Sequence, residues 1–546
     1  MAKVVTLILL QRKPLKMSKT GIFNKITIAI VAVVISGSFF PGALAEETAG
    51  LEVATDVAGA GQSGCKTFGA FNIFVNSDAS LTLSLEDAIT SAISQNVALQ
   101  IERIKPEVAR TVIAKERARF DTAISAEVSA GERDSRNLTQ QKTLNKSIVN
   151  YTGAVVGIEK LSPSGTRSGI ELSVDRSRSA STDSLFSTRL GLSLQHPLRR
   201  GAGREVNLVS LRQAEIAHEW SEYELKGFLL DFIAQVEHQY WQYYLGLKQL
   251  EIVRESQDLA RQQLDETRKR IEAGSIAESE EAAAEAEVAL RTEDLINAES
   301  EAVSRAISLL RSVNPDSASF WQVRPELSDE PVLTRSERQS LTEHIEIALE
   351  LRPELKQARL QLASDELQVI ASRNGLLPRL DFFMNLGKTG YATSFSGSNP
   401  RLGQDGAYDI SAGLTYDIVR DRRAARAEVA RSRASVTMRR DAMLNLEQLI
   451  KEDVIKAYIE VERTLQQMTA TAATSQKQLE KLRVEEVKFN VGKTTAFQVA
   501  QAQRDLTAAR IAEVRAAVGY TSAIIDLLRA DGSLLVRNGI ISTEKN

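Results

Sequence analysis

The 546-residue sequence is poor in several residue types on which particular folds and reactions depend. Its single cysteine, Cys65, cannot form an intrachain disulfide. Only 5% of the residues are aromatic and only 11 are proline, which leaves room for very long helices. The four histidines show no ligand spacing with one another or with Cys65, and no nucleophile or base lies in a catalytic context. We therefore expect no metal, no cofactor and no enzymatic activity.

Long apolar runs are also rare, except near the N-terminus. Residues 1–45 contain six basic residues and no acid, an apolar run from Ile26 to Phe40, and the small-residue site Ala43-Leu44-Ala45. This pattern is typical of a cleaved secretory signal. Cleavage changes the formal net charge from −3 to −9, so the mature chain is acidic and nucleic acid is not an expected partner. Since no later stretch is long and apolar enough for a membrane helix, membrane segments must be β-strands.

The sequence repeats itself. Val236 aligns with Val454 at a spacing of 218 residues, and Leu85–Leu99 aligns with Leu341–Leu355 at a spacing of 256. Between these segments the spacing falls to 222, so the first repeat carries 34 more residues than the second. The chain is therefore predicted to contain two copies of one elongated unit.

Two glycines divide long helix-compatible segments. Gly274 and Gly492 each follow such a segment of about 70 residues, which would span roughly 105 Å as a helix. A tight turn between two helices favours a residue that tolerates positive φ. The sequence therefore predicts two long coiled-coil hairpins that turn at these glycines. Residues 83–120 are also predicted to be helical, with a kink at Pro106.

Segments in which apolar and polar residues alternate precede both hairpins, most clearly at 408–418. A period of two gives a strand one apolar and one wet face. We predict at least four membrane strands per chain. Four strands cannot close a barrel and open edges are not tolerated in lipid, so several chains must share one barrel. The even-numbered residues predicted to contact lipid are Leu190, Leu192, Leu194, Tyr408, Ile410, Leu414 and Tyr416.

The 34 additional residues of the first repeat are assigned to 131–168. This stretch is polar and turn-rich, with Ser162-Pro163-Ser164-Gly165 near its end. We expect it to face outward from the cell as a surface connection between strands. The β-prone segment Val149–Ile158 leaves open whether it forms an added hairpin.

The duplicated order of helix, strand pair and long helical hairpin resembles the TolC-type outer-membrane efflux proteins. The resemblance covers roughly residues 83–535 and rests on the aligned segments, on both turn glycines, on Leu376-Leu377-Pro378-Arg379-Leu380 and on Gln195-His196-Pro197-Leu198. It implies a mainly α-helical homotrimer with a twelve-stranded outer-membrane barrel and a periplasmic α-barrel. It also implies a passive exit duct of a tripartite efflux or type I secretion system. The partners implied are outer-membrane lipid, a periplasmic adaptor and, through the adaptor, an inner-membrane pump.

The alternative function is that of a periplasmic adaptor or coiled-coil scaffold, which also contains a long helical hairpin. Such a protein would usually carry one hairpin and an inner-membrane anchor, whereas this sequence has two hairpins, amphipathic strands and a signal peptide. The exported substrate cannot be read from the sequence.

The resemblance also implies a closure near the hairpin turns. In the family, aspartates after the second turn glycine form the narrowest ring, and the matching positions here are Gln498 and Gln501. After Gly274, Glu278, Glu280 and Glu281 either add negative charge to this gate or form an ordinary solvated helix face. Adaptor contact is implied for Gly274, Ser275, Ile276, Gly492, Lys493 and Thr494.

Two further assignments leave alternatives open. The aromatic patch Tyr240-Trp241-Tyr243-Tyr244 is interpreted as helix packing, with a substrate-stacking site as the alternative. Cys65 is an inert thiol or, less in keeping with its context, a lipid anchor. The predicted segments are a signal peptide (1–45), a flexible N-terminal arm (46–80), repeat 1 (81–311), a crossover (312–340), repeat 2 (341–531) and a C-terminal tail (532–546).

Overall fold

A computed structural model describes residues 80–138, 144–179, 182–313, 324–331, 340–404 and 407–540. The predicted signal peptide, Cys65 and nearly all of the predicted N-terminal arm lie outside these residues, as do parts of the crossover and of the tail. The described chain is mainly helical with an antiparallel sheet, as predicted. Among the described residues, no helix is both long and apolar enough to cross a membrane.

Eight strands and eleven α-helices make up this part of the chain. In chain order they are β1 (Ser80–Leu83), α1 (Leu85–Gln95), α2 (Val97–Arg117), β2 (Thr122–Leu138), β3 (Leu144–Leu161), β4 (Arg167–Ser179), β5 (Thr182–Pro197), α3 (Arg204–Asn207), α4 (Val209–Glu272), α5 (Ser279–Val313), β6 (Arg324–Leu327), α6 (Leu341–Leu351), α7 (Pro353–Gly375), β7 (Arg379–Ala392), α8 (Phe395–Gln404), β8 (Ala407–Asp417), α9 (Arg423–Asn490), α10 (Ala496–Ala530) and α11 (Leu534–Arg537).

Each repeat begins with a helix that is broken at the same place. Ser84 caps α1, and Ser340 caps α6 at the equivalent position of the second repeat. The side chain of Asn96 ends the first helix and caps α2 by accepting hydrogen bonds from two N–H groups at 2.9 and 3.3 Å. Arg352 separates α6 from α7 at the equivalent position of repeat 2, although its side chain makes no capping hydrogen bond. The break therefore lies at Asn96, whereas Pro106, at which we predicted a kink, lies inside α2.

The helices of the two repeats pack as a layer of four at two levels. Near the large sheet, α4 packs against α2 and α7, and α7 packs against α9. Toward the turns, α4 packs against α5 and α10, and α10 packs against α9. The long helices α4 and α9, with 64 and 68 residues, take part at both levels. The equivalent residues Val236 and Val454 are both fully buried, in agreement with the predicted repeat.

A core of aromatic and aliphatic side chains lies around β1 and β6, which pair in parallel. The Tyr240 hydroxyl donates to the Leu83 carbonyl at 3.1 Å, and the Tyr243 hydroxyl donates to the Pro325 carbonyl at 2.9 Å. Burial raises the pKa of Tyr240 to about 12. Trp241 is also buried, and α11 in the C-terminal segment packs into the same core. The aromatic patch thus packs between helices and strands.

The other six strands form one antiparallel sheet in the order β2-β3-β4-β5-β7-β8. The predicted architecture is confirmed, and the six strands exceed the predicted minimum of four. The additional residues of repeat 1 supply a hairpin, β3 and β4, which lies between β2 and β5. Strands are added in pairs because the chain must return to the helical end of the sheet before α4 begins.

The turn between β3 and β4 lies at this helical end. The Gly203 N–H, just before α3, donates to the Ser164 carbonyl at 3.1 Å, and the Thr166 hydroxyl is 2.7 Å from His196 Nδ1 at the end of β5. The expectation that 131–168 faces outward as one surface connection is therefore wrong for Ser162–Gly165. Polar turn residues are equally suited to either end of a sheet, so their composition does not indicate at which end this turn lies.

Candidate functional site

One face of the six-stranded sheet is apolar from edge to edge. The strand register aligns even-numbered residues with even-numbered residues at every pairing except Ser179↔Thr182, where the register between β4 and β5 shifts. Many of these side chains are exposed in the single chain, among them Val128 at 81% and Tyr408 at 79%. A contiguous exposed apolar surface marks contact with lipid or with another protein. One row across all six strands consists of Ile124, Ile158, Ile170, Leu192, Leu386 and Ile410.

All of the residues predicted to contact lipid lie on this even face, and only Leu194 among them is not largely exposed. The apolar band ends where charged residues begin: on the even face, Arg176 follows Val174 on β4, and Lys388 follows Leu386 on β7. Helix α8 packs on the same face just beyond the band, where the Ser398 and Thr188 hydroxyls are 2.8 Å apart. Gly390 permits this contact, because a Cβ atom there would lie 2.3 Å from the Ser398 carbonyl oxygen.

The odd face of the same sheet is polar. Arg189 on β5 forms an ion pair of 2.7 Å with Asp409 on β8 across the intervening strand. Gln195 donates to Asp381 at 2.9 Å between β5 and β7. These bonds join strands from both repeats on the face opposite the apolar band. The sheet can therefore separate an apolar from an aqueous environment.

Both helical hairpins turn through the same hydrogen-bond pattern. Gly274 and Gly492 have φ values of 68° and 69°, in the left-handed region that favours glycine. The Ser275 N–H donates to the Arg270 carbonyl at 2.9 Å, and the Lys493 N–H donates to the Lys488 carbonyl at 2.8 Å. Each turn therefore ends its helix with a six-to-one bond of the Schellman type. Ser275 and Lys493 are exposed, and Ile276 and Thr494 are half-buried.

The predicted gate residues lie one to two turns beyond these glycines. Gln498 and Gln501 are exposed on α10, and Gln501 donates to Asp505 at 2.9 Å. Lys481 on α9 forms an ion pair with the same carboxylate at 2.7 Å, and this hydrogen bond lowers the pKa of Asp505. Of the two glutamines, Gln501 is thus held beside an anionic group.

The glutamates after the first turn are arranged differently. Glu278 is exposed and precedes α5, Glu280 is half-buried, and Glu281 accepts an ion pair of 2.8 Å from Arg268 on α4. Arg268 also pairs with Glu285 at 2.7 Å. The structure therefore brings Glu281 against a basic neighbour of its own hairpin and leaves Glu278 in solvent.

Basic residues outside the predicted gate join the two hairpins near their turns. Arg270 donates to Asn490 at 3.2 Å, and its guanidinium lies 4.6 Å from the centre of the Phe489 ring. Arg504 lies 3.6 Å from Glu287 across the same boundary. One sequence signal could have indicated a role for Arg270. It lies four residues before Gly274, and another basic residue, Lys488, lies four residues before Gly492.

Comparison with known proteins gives a family and a fold. A sequence model of the family described as outer membrane efflux protein matches residues 160–314 and 344–533, which is more than half of the chain. No curated protein matches the sequence significantly.

Several solved structures share the fold. A membrane protein from Pseudomonas aeruginosa is 18% identical with a TM-score of 0.62, over 82% of this chain and 93% of that chain. The CmeC outer membrane channel of Campylobacter jejuni is 13% identical with a TM-score of 0.61, over 82% and 86%. The outer membrane protein VceC of Vibrio cholerae is 14% identical with a TM-score of 0.61, over 82% and 96%.

Proposed function

The chain belongs to the outer membrane efflux protein family, and we propose on this premise that three copies form a passive exit duct. The protein is an outer-membrane efflux channel that extends into the periplasm. The observation that carries the proposal is the continuous apolar face of a sheet whose strands lead directly into two helical hairpins. An adaptor or scaffold has no need of such a face, so this alternative is set aside.

The lateral edges of the chain support a ring of identical copies. Within the part of the chain that the structure describes, the outer strands of the sheet, β2 and β8, each have one edge that pairs with no other strand, which lipid does not tolerate. In the helical layer, α2 lies at one side and α9 at the other. The free face of α2 carries five apolar residues that are 42–59% exposed: Val97, Ile101, Ile104, Val108 and Val112. On α9, Met438, Leu449 and Ile459 are also exposed. Since the two sides of the chain differ and both must be covered, the side with β2 and α2 of one copy is proposed to contact the side with β8 and α9 of the next. Such head-to-tail contacts close into a ring.

The turn ends of the hairpins are proposed to contact a periplasmic adaptor and, through it, an inner-membrane pump. The exposed residues around Gly274 and Gly492 are available for such contact. Closure of the duct is proposed at the adjacent polar side chains. Three copies of Gln498 and Gln501 can hydrogen-bond across a closed ring, whereas three like charges would repel one another. The same architecture serves tripartite efflux or type I secretion, and catalysis is not part of the proposed function.

Trimer formation in the outer membrane tests the first part of the proposal. We expect purified protein to be a detergent-dependent, heat-modifiable trimer by native mass measurement. Leu414→Arg on the apolar face should abolish most of this assembly, and Thr415→Arg on the adjacent polar face should leave it intact. A monomer, or equal tolerance of both substitutions, would contradict the proposal.

Single-channel recording tests the gate. Gln498→Asp with Gln501→Asp should create or strengthen block by divalent cations, because Gln501→Asp adds a second carboxylate beside Asp505. Lys at both positions should loosen closure and shift the ion selectivity toward anions. If neither double substitution alters conductance, block or selectivity, the constriction lies elsewhere.

A further inference from the structure

The added hairpin of repeat 1 is an integral part of the large sheet. β3 pairs with β2 from Thr122↔Lys160 to Leu138↔Leu144, and β4 pairs with β5 from Arg167↔Gln195 onward. The even residues of β3 and β4 continue the apolar rows of the neighbouring strands, and Val156 and Leu172 are exposed on that face. A hairpin that stood above the membrane would have no need of an apolar face of this kind.

The apolar band crosses the sheet obliquely. Its limit at the helical end is Ile124 on β2, whereas on β8 it is Tyr416. Across the register Ile124 is level with Ile158, Ile170 and Ile410, so the limit is level over β2, β3 and β4 and descends by six residues between β4 and β8. Averaged over the five strand spacings, at about 3.3 Å per residue and about 4.8 Å per spacing, this descent corresponds to strands tilted by about 40° from the bilayer normal. Closed membrane barrels have tilts of roughly 35–45°.

The width of the sheet also fits the helices beneath it. Six strands at this tilt occupy about 38 Å of a circumference, whereas four strands would occupy about 25 Å. Four helices packed side by side at 8–10 Å occupy about 32–40 Å. The six strands of this chain therefore cover the full width of its four-helix layer.

We infer that all six strands enter the shared membrane barrel, so that three chains form an eighteen-stranded barrel in place of the twelve strands implied by the family resemblance. This inference rests on the proposed trimeric duct. Because barrel diameter grows about linearly with strand number, the outer-membrane section is about 1.5 times as wide as a twelve-stranded one. Its lumen is lined by the polar odd face, with Glu127, Glu171 and Arg189 at adjacent levels of the sheet. Barrels of 16–18 strands hold an aqueous channel.

Cysteine accessibility distinguishes this inference from the proposed function. In a Cys65→Ser background, single cysteines replace Val155 and Val156 on β3 and, as a second pair, Ile410 and Ser411 on β8. The trimer is reconstituted in phospholipid vesicles and treated with a charged maleimide and, separately, with a fluorescent maleimide in the presence of lipid-attached quencher. We expect the charged reagent to label positions 155 and 411 at least tenfold faster than 156 and 410. Quenching by lipid should show the opposite preference.

The two pairs of positions test the inserted strand and the edge strand independently. Alternation in both pairs supports the eighteen-stranded barrel. Alternation on β8 without alternation on β3 overturns the inference and leaves the duct intact. Absence of alternation on β8 overturns the proposed function and the inference with it.

Polymer exclusion provides a second measurement that needs no substitution. Poly(ethylene glycol) of increasing size is added to the outer side of wild-type trimers in a planar bilayer, beside a family channel with four strands per chain. The largest polymer that enters this protein should have about 1.5 times the hydrodynamic radius of the largest that enters the reference. Equal cut-offs would overturn the inference even if the trimer and its conductance are as proposed.

Discussion

The two repeats have nearly equal helices but unequal shares of the sheet. α5 and α10 both have 35 residues, and α4 and α9 have 64 and 68, whereas repeat 1 supplies four strands of the large sheet and repeat 2 supplies two. Helix length is constrained because the two turns lie side by side, joined by Arg270 and Asn490. Strand number is less constrained, since any added pair of strands returns the chain to the helical end. The two repeats can therefore differ in the number of strands that they supply to the sheet but not in the length of their helices.

The largest effect expected concerns whether the two repeats are equivalent in lipid. Val155 and Val156 are identical residues on opposite faces of the added strand β3, so they form a matched pair. Val156→Arg should destabilise the barrel by about 2–4 kcal/mol if this residue lies near the bilayer midplane, while Val155→Arg, beside Glu127, should be tolerated. Urea unfolding in vesicles measures the difference. The comparison breaks down if β8 shows such a contrast between Leu414→Arg and Thr415→Arg and β3 does not.

A smaller effect tests the equivalence of the two turns. No atom of the described residues of this chain lies within 4 Å of a Cβ added at Gly274 or Gly492, so the cost of an added methyl group comes from the positive φ. Gly274→Ala and Gly492→Ala should each destabilise by about 1–2 kcal/mol, and Asn at either position by less. Thermal unfolding of the four variants measures this. Unequal costs for the two alanines would indicate that one turn is held by something other than its backbone.

Glu237 offers a point at which the repeats differ in charge. It is buried in α4 and accepts a hydrogen bond of 2.7 Å from Asn538, while the equivalent position in α9 is Ile455. Burial raises the pKa of Glu237 above its ordinary value, so the folded protein binds this proton more tightly than the unfolded chain does. The ionised carboxylate therefore opposes folding at neutral pH, and this cost disappears as the pH falls through the raised pKa.

Glu237→Gln should accordingly stabilise the protein by on the order of 1 kcal/mol at pH 7. At a pH low enough to protonate carboxylates in the folded and the unfolded protein, the substitution should not change the stability. Thermal unfolding across this pH range measures the crossover. Glu237→Ala provides a control that loses the bond to Asn538 as well as the charge. A gain for Gln that does not depend on pH would show that the carboxylate is not the cause.

The smallest effect concerns the ion pair between Lys481 and Asp505 beside the second turn. Both side chains are partly exposed, so Lys481→Ala should cost only about 0.2–1 kcal/mol, and less in high salt. The pKa of Asp505 is lowered, so its contribution is present at neutral pH and is lost as the pH falls through the lowered pKa. Urea unfolding at two salt concentrations tests this. A larger loss that salt does not reduce would mean that Lys481 has another role.

The faces of the strands were predictable from the sequence, whereas their number was not. Alternation at 408–418 is a local signal, because each residue points to the side opposite its neighbour. Strand number depends on where each turn lies, and Ser162–Gly165 would look the same at either end of the sheet. The helix break at Asn96 was missed for a similar reason: a capping asparagine resembles any polar residue until its side chain is seen to accept the first N–H groups of α2.

The surroundings of the predicted gate depended on tertiary contacts. Gln501 and Glu281 were selected by their distance from the turns, which the sequence gives directly. Their partners, Asp505 and Arg268, are set by the rotation of each helix about its axis and by the adjacent helix. Near the turns, the apolar stripe along each long helix is interrupted by Ser, Gln and Glu. No local sequence pattern therefore fixes the rotation of these helices about their axes.

The parallel pair of β1 and β6 sets an order on folding. Ser80 pairs with Arg324, and the Leu85 N–H donates to Asp329 at 2.6 Å, a separation of 244 residues along the chain. A chain that emerges N-terminus first must keep β1 unpaired until the whole first hairpin has been released. Such long-range pairing is slow, because the entropy cost of closing the loop arises before any contact compensates that cost. A chain truncated within repeat 1 therefore leaves its first strand without the parallel partner that it has in the complete fold.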